Sequence, residues 1–193
     1  MRLSAIRFPP TRRAGVKSSG VRPRLLIAGR PGSGKTTAVT RLAALLRDAG
    51  MPLGGFVTTE LREGGRRVGF EIETLDGAER AVLAHVELRG PPRVGRYGLD
   101  LEAFEALALP ALRREGAVVF LVDELGKMEL ASERFREAVS ELFERPVAVV
   151  ATVQANPHPF VSRLPDVETL SLTAGNRDRL PEELFGRLMP TES

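Results

Sequence analysis

The chain has 193 residues, 42% hydrophobic and 27% charged, with a formal net charge of +3. That balance suits one soluble domain with a proper core. Cysteine is absent, which excludes disulfides and thiolate metal sites, and no apolar run nears the roughly 18 residues of a membrane span. Seven of the 28 basic residues and none of the 25 acidic ones lie in residues 1–24, so the rest carries four more acids than bases. This argues against a general nucleic-acid-binding surface on the domain itself.

Residues 1–23, with Pro9-Pro10, Pro23 and a Lys-Ser-Ser-Gly stretch, read as a disordered basic extension outside a single domain of residues 24–193. The sharper alternative is an arm that touches phosphates, nucleic acid or a membrane surface. "RLLIAG" (Arg24–Gly29) reads as a buried strand that breaks into "GRPGSGKTT", followed by a helix from Thr36 to Ala49. Val39, Leu42, Ala43 and Leu46 repeat there at helical spacing, and Gly50 and Pro52 supply the stop.

"GGFVTTEL" and "RRVGFEIETL" flank Gly64-Gly65 and alternate with period two, which predicts an antiparallel hairpin. A short strand at Ala81–Leu83 extends it, and "RVGRYGLD" reads as a loop. The helix that follows carries Leu101, Phe104 and Ala108 on one face, with a kink expected at Pro110. Val118–Val122 is a continuous apolar strand, as burial on both faces of a parallel sheet requires. Ser132 caps the next helix, whose Phe135, Val139 and Leu142 point inward. "PVAVVAT" and "VETLSL" are further strands, and a last helix covers Pro181–Leu188. Strands alternating with helices predict a three-layer α/β fold with a mostly parallel sheet and an added antiparallel hairpin.

Gly29, Arg30, Pro31, Gly32, Ser33, Gly34, Lys35 and Thr36 fit G-x-x-x-x-G-K-[ST] in full. The glycines turn backbone N–H groups inward around a polyphosphate, and the helix that opens there adds its positive end. Lys35 should reach the β- and γ-phosphates, the Thr36 hydroxyl should ligate Mg²⁺, and Thr37 completes the nucleotide-binding stretch. A magnesium carried on phosphates needs an acid at the end of a neighbouring parallel strand, where Asp123 stands. Glu124 beside it can orient the attacking water and accept its proton. In proteins with this Asp-Glu arrangement the next strand commonly lies between the two motif strands, which makes Thr152 the candidate polar residue facing the γ-phosphate.

Five segments carry a resemblance: "GRPGSGKTT", "GGFVTTELREGGRRVGFEIETLDG", "VGRYGLDLEAFEALALPALR", "VDELGKMEL" and "TAGNRDRL". Together they resemble the thermophile-type nucleoside-triphosphatase family. The resemblance implies a RecA-like P-loop fold and magnesium-dependent hydrolysis of ATP, GTP, CTP and UTP with broad base acceptance. It places the family's basic positions on Arg62, Arg96 and Lys127. Lys127 and Arg96 are the candidates for stabilising transition-state charge beside Lys35 and Glu124. Asn176 is a candidate contact to the nucleotide, and Asp178 either caps the final helix or meets the base. A cytoplasmic monomer is expected. Two other readings stay open: a small nucleotide or nucleoside kinase, and a nucleotide-dependent switch that binds RNA through residues 1–23.

Overall fold

The computed structural model describes residues 22–189. The expected basic extension, and any nucleic-acid contact through it, lie outside the described residues apart from Arg22 and Pro23. The chain runs β1 (Arg24–Gly29), α1 (Lys35–Asp48), β2 (Leu53–Glu63), β3 (Arg66–Thr74), β4 (Arg80–His85), β5 (Arg93–Val94), β6 (Tyr97–Leu99) and α2 (Leu101–Leu112). It continues with β7 (Val119–Val122), α3 (Glu133–Glu144), β8 (Ala148–Gln154), β9 (Glu168–Ser171) and α4 (Leu180–Leu188).

The strands form one sheet in the order β5-β6-β4-β3-β2-β7-β8-β1-β9. From β2 to β9 every pairing is parallel; from β2 outward to β5 every pairing is antiparallel. The parallel half therefore agrees with the apolar runs read from sequence. The antiparallel half is larger than a hairpin, because "RVGRYGLD", expected to be a loop, supplies β5 and β6.

Period-two alternation assigns the parallel strands to two cores. Leu26, Phe120, Val149 and Ala151 pack under α2 and α3, with Phe56, Phe104 and Phe135 at the centre. Leu25, Ile27, Leu121 and Val150 pack on the other face under α1 and α4. Both faces of β7 and β8 are covered, so these two strands have no exposed side before their carboxyl ends. The Phe104 and Phe135 rings meet edge to face at 4.9 Å between centroids, a favoured aromatic arrangement. Ser132 caps α3 as expected, its Oγ accepting from the Phe135 N–H at 2.9 Å. Pro110, expected to kink α2, stands in its last turn, and the helix ends at Leu112.

Two features of this packing set the functional edge. The strand β8 lies between β1 and β7, in parallel register with both, which brings the carboxyl ends of all three together. And β2 approaches β7 closely at Gly55, which has a φ of 104°. A Cβ there would meet the Leu121 carbonyl oxygen at 1.9 Å. Only glycine tolerates both that conformation and that approach. Gly55→Ala should therefore lower stability by roughly 2–5 kcal/mol, read from the urea unfolding midpoint. A midpoint within error of wild type would remove Gly55 from this role.

Candidate active site

The loop after β1 turns through Gly34, which has a φ of 96° and precedes the first residue of α1. No side chain caps that helix, so the N–H groups of its first turn remain free to meet an anion. Lys35 is buried, at 7% exposure, because its stem lies along the loop. Its Nζ donates to the Gly29 carbonyl at 3.2 Å and stands 3.3 Å from Glu124 Oε2.

Asp123 follows the last residue of β7 and is 1% exposed. Both its carboxylate oxygens accept hydroxyl hydrogens, Oδ2 from Thr36 at 2.6 Å and Oδ1 from Thr152 at 2.5 Å. Its backbone N–H donates to the Phe56 carbonyl at 3.1 Å, and its carbonyl accepts from the Thr58 hydroxyl at 2.5 Å. Burial pushes the Asp123 carboxyl above the usual carboxylate range, against the pull of the two hydroxyls, and the neighbouring Glu124 charge adds to the rise.

Thr152 thus faces Asp123, where the sequence had it facing the γ-phosphate. The residue at the strand end that faces the cleft is Gln154, whose Nε2 donates to Glu124 Oε1 at 3.2 Å. Period two was the available signal, since Gln154 stands two residues past Thr152 on the same side of β8. Glu124 is consequently held at both oxygens, by Lys35 and by Gln154.

These groups share a cleft of about 610 Å³ that also reaches Thr37, Lys127 and Met128. Lys127 is exposed and makes no ion pair among the described residues. The outer wall of the cleft includes Arg67 and Phe70, not Arg96 or Arg62. Arg96 is drawn elsewhere: its Nη2 donates to the Arg67 carbonyl and to the Tyr97 hydroxyl. Arg62 pairs with Glu60 at 2.6 Å near the hairpin turn. Arg67 takes the position assigned to Arg96, with its guanidinium 2.7 Å from Glu60 and 5.1 Å from the Phe70 ring centre. Arg62 and Arg67 are cross-strand partners on β2 and β3, yet only Arg67 lines the cleft.

Asn176 does not reach the cleft. Its Oδ1 accepts from the Thr173 N–H at 2.8 Å and its Nδ2 donates to the Ser171 carbonyl at 2.9 Å, which folds the loop after β9. Asp178 does not cap α4, whose N-cap is Arg179 with no side-chain hydrogen bond. The remaining loop residues, Arg30 to Ser33, also line a second cavity on the far flank, with Arg177.

One acid escaped the sequence reading. Glu129 begins a short 3₁₀ turn beneath the cleft, 4% exposed, with Oε2 accepting from the Gly126 N–H at 3.2 Å. Burial pushes its carboxyl up to about 8, and the charges of Glu124 and Asp123 act in the same direction. An unfolded chain loses that proton near the ordinary value of 4.5, so between about 4.5 and about 8 the folded state alone keeps it. Glu129 therefore makes stability fall as pH rises through that window. Glu129→Gln should flatten this part of the slope, measured by urea unfolding at pH 5 and pH 8. An unchanged slope would show that Glu129 ionises normally.

A family model described as NTPase matches residues 24–185. The nucleoside-triphosphatase THEP1 of Thermotoga petrophila is 44% identical over 169 residues, covering 84% of this chain and 90% of that protein. The human cancer-related nucleoside-triphosphatase is 38% identical, covering 81% of this chain and 91% of its own length. The crystal structure of THEP1 from Aquifex aeolicus superposes with a TM-score of 0.75 at 35% identity, over 86% of this chain and 99% of that one. The motif loop, the buried Asp123 and the strand order thus occur in a chain whose residues 24–185 match one family model, and the chain belongs to the NTPase family.

Proposed function

We propose that the protein hydrolyses nucleoside triphosphates to diphosphate and phosphate, with Mg²⁺ and with little preference for the base. The observation that carries this is Glu124, a cleft-facing carboxylate beside the buried Asp123 and held between Lys35 and Gln154. The names of the relatives support the same reaction.

Thr36 and Asp123 fit a magnesium ion. They offer hard oxygen donors 2.6 Å apart, and Asp123 has no ion-pair partner among the described residues. A magnesium borne on phosphates takes only one or two protein ligands. Consistently, no group of three or more His, Asp or Glu side chains forms a self-sufficient metal cage among the described residues. Bound there, Mg²⁺ would neutralise charge on the β- and γ-phosphate oxygens.

The chain's own groups do the rest. Backbone N–H groups of Gly32 to Thr36 grip the phosphates, and Lys35 exchanges Glu124 for the β- and γ-oxygens. That exchange frees Glu124 Oε2 to orient water and take its proton, while Gln154 keeps Oε1 in place. Lys127, unpaired at the cleft wall, stabilises charge as it builds on the leaving oxygens. A second reading, phosphoryl transfer, rests on the outer half of the cleft, where Phe70, Val94 and Met128 offer room for an acceptor.

Phosphate release from ATP, GTP, CTP and UTP, with and without Mg²⁺, tests the reaction. Release with no added acceptor supports hydrolysis, and label found on an added nucleoside in its place would favour transfer. Glu124→Gln should bind nucleotide normally while turnover drops at least about 100-fold. Lys127→Ala should lower kcat roughly 10- to 100-fold with KM little changed, since its charge acts on the transition state. Wild-type kcat in that variant would reduce Lys127 to a surface residue.

A further inference from the structure

The cleft runs along the carboxyl edge of the sheet, from the loop after β1, past Gln154 on β8 and the acids after β7, to β2 and β3. Phosphoryl transfer keeps the attacking and leaving oxygens roughly in line. On the hydrolytic reading the loop grips the leaving diphosphate, so water attacks from the opposite side, where β2 and β3 stand. The phosphorus moves toward that side as its bond to the bridging oxygen breaks. The freed phosphate is then left between the diphosphate and the hairpin.

The hairpin turns a guanidinium toward that position. Arg67 stands opposite Arg62, and Phe70 stands opposite Glu60. The Arg67 side chain nevertheless leans back toward the acids. Its Nη1 donates to Glu60 Oε1 at 2.7 Å, two residues nearer them than Arg62, and its Cζ lies 5.1 Å from the Phe70 ring centre. Its Nε donates to the Tyr97 hydroxyl at 3.1 Å, which fixes the plane of the fork. Nη2 makes no hydrogen bond among the described residues.

The charge is not consumed either. Glu60 serves two arginines, since its other oxygen pairs with Arg62 at 2.6 Å. Arg96 adds a third cation behind them, through its bonds to the Arg67 carbonyl and the Tyr97 hydroxyl. The hairpin end of the cleft thus carries surplus positive charge, while the other end crowds carboxylates. Lys127 lines the same cavity as Arg67.

We propose that Arg67 and Lys127 form a subsite for inorganic phosphate, which receives the product of hydrolysis before it leaves. This rests on the hydrolytic reading for the identity of the ligand. An arginine fork with a free edge suits a phosphate oxygen, and a lysine adds a point charge from a second side. The position beyond Glu124 lets phosphate depart while the diphosphate is still gripped by the loop.

Inorganic phosphate titrated into the protein holding Mg²⁺ and ADP tests it, followed by the NMR signal of the Arg67 Nε–H. That signal should shift and saturate. In the turnover assay Arg67→Ala should raise the inhibition constant for phosphate roughly three- to tenfold and leave that for ADP unchanged. Arg67→Lys, which keeps the charge, should fall between, with melting temperature as the check on folding. An unmoved Arg67 signal, wild-type phosphate inhibition in Arg67→Ala, or equal loss of phosphate and ADP inhibition would overturn the assignment. The titration needs no turnover. Absence of phosphate release in wild type would therefore sink the hydrolytic reading while the titration still decides on the subsite.

Discussion

Everything at the functional edge depends on the carboxylate of Asp123 and the two hydroxyls that hold it. A charge 1% exposed is costly to bury unless each oxygen has a partner. The fold supplies those partners from α1 and β8, and ties the main chain of the same residue to β2. Four elements distant in sequence are thereby pinned at one point. The order of the central strands, and the glycine that lets β2 close on β7, are what make that convergence possible.

The site is also short of positive charge. Asp123, Glu124 and Glu129 crowd at the cleft, and among the described residues Lys35 alone pairs with any of them. Burial displaces the Asp123 and Glu129 carboxyls upward, and the neighbouring negative charges add to that displacement. Such a site repels a bare polyanion unless cations come with it or stand ready nearby. In the proposed hydrolysis Lys127 on the cleft wall would be one such group, and a divalent ion carried on the phosphates the other.

The loop, the acidic strand end and nearly every helix and long strand were legible because each rests on a local rule. Leu42 and Leu46 show their helical period, Val68 and Phe70 their strand period, and Ser132 its capping position. The losses follow from where those rules stop. Strands of two and three residues, β5 and β6, are too short to show a period. Arg96 was named from a resemblance of segments, which does not show that its side chain turns to the Arg67 carbonyl and the Tyr97 hydroxyl while Arg67 lines the cleft. Glu129 was hidden for another reason: in sequence it reads as one more surface acid, and only tertiary packing buries it.

The ion pair between Lys35 and Glu124 makes the lysine's two possible partners mutually exclusive. A phosphate group must displace a carboxylate 3.3 Å from the ammonium before the loop can close around it. A lone phosphate brings few N–H contacts to drive that exchange, whereas a chain of two or three brings several at once. The pair therefore acts as a threshold on chain length. On the proposed mechanism it also keeps the Glu124 carboxylate masked until a ligand long enough to unmask it has arrived.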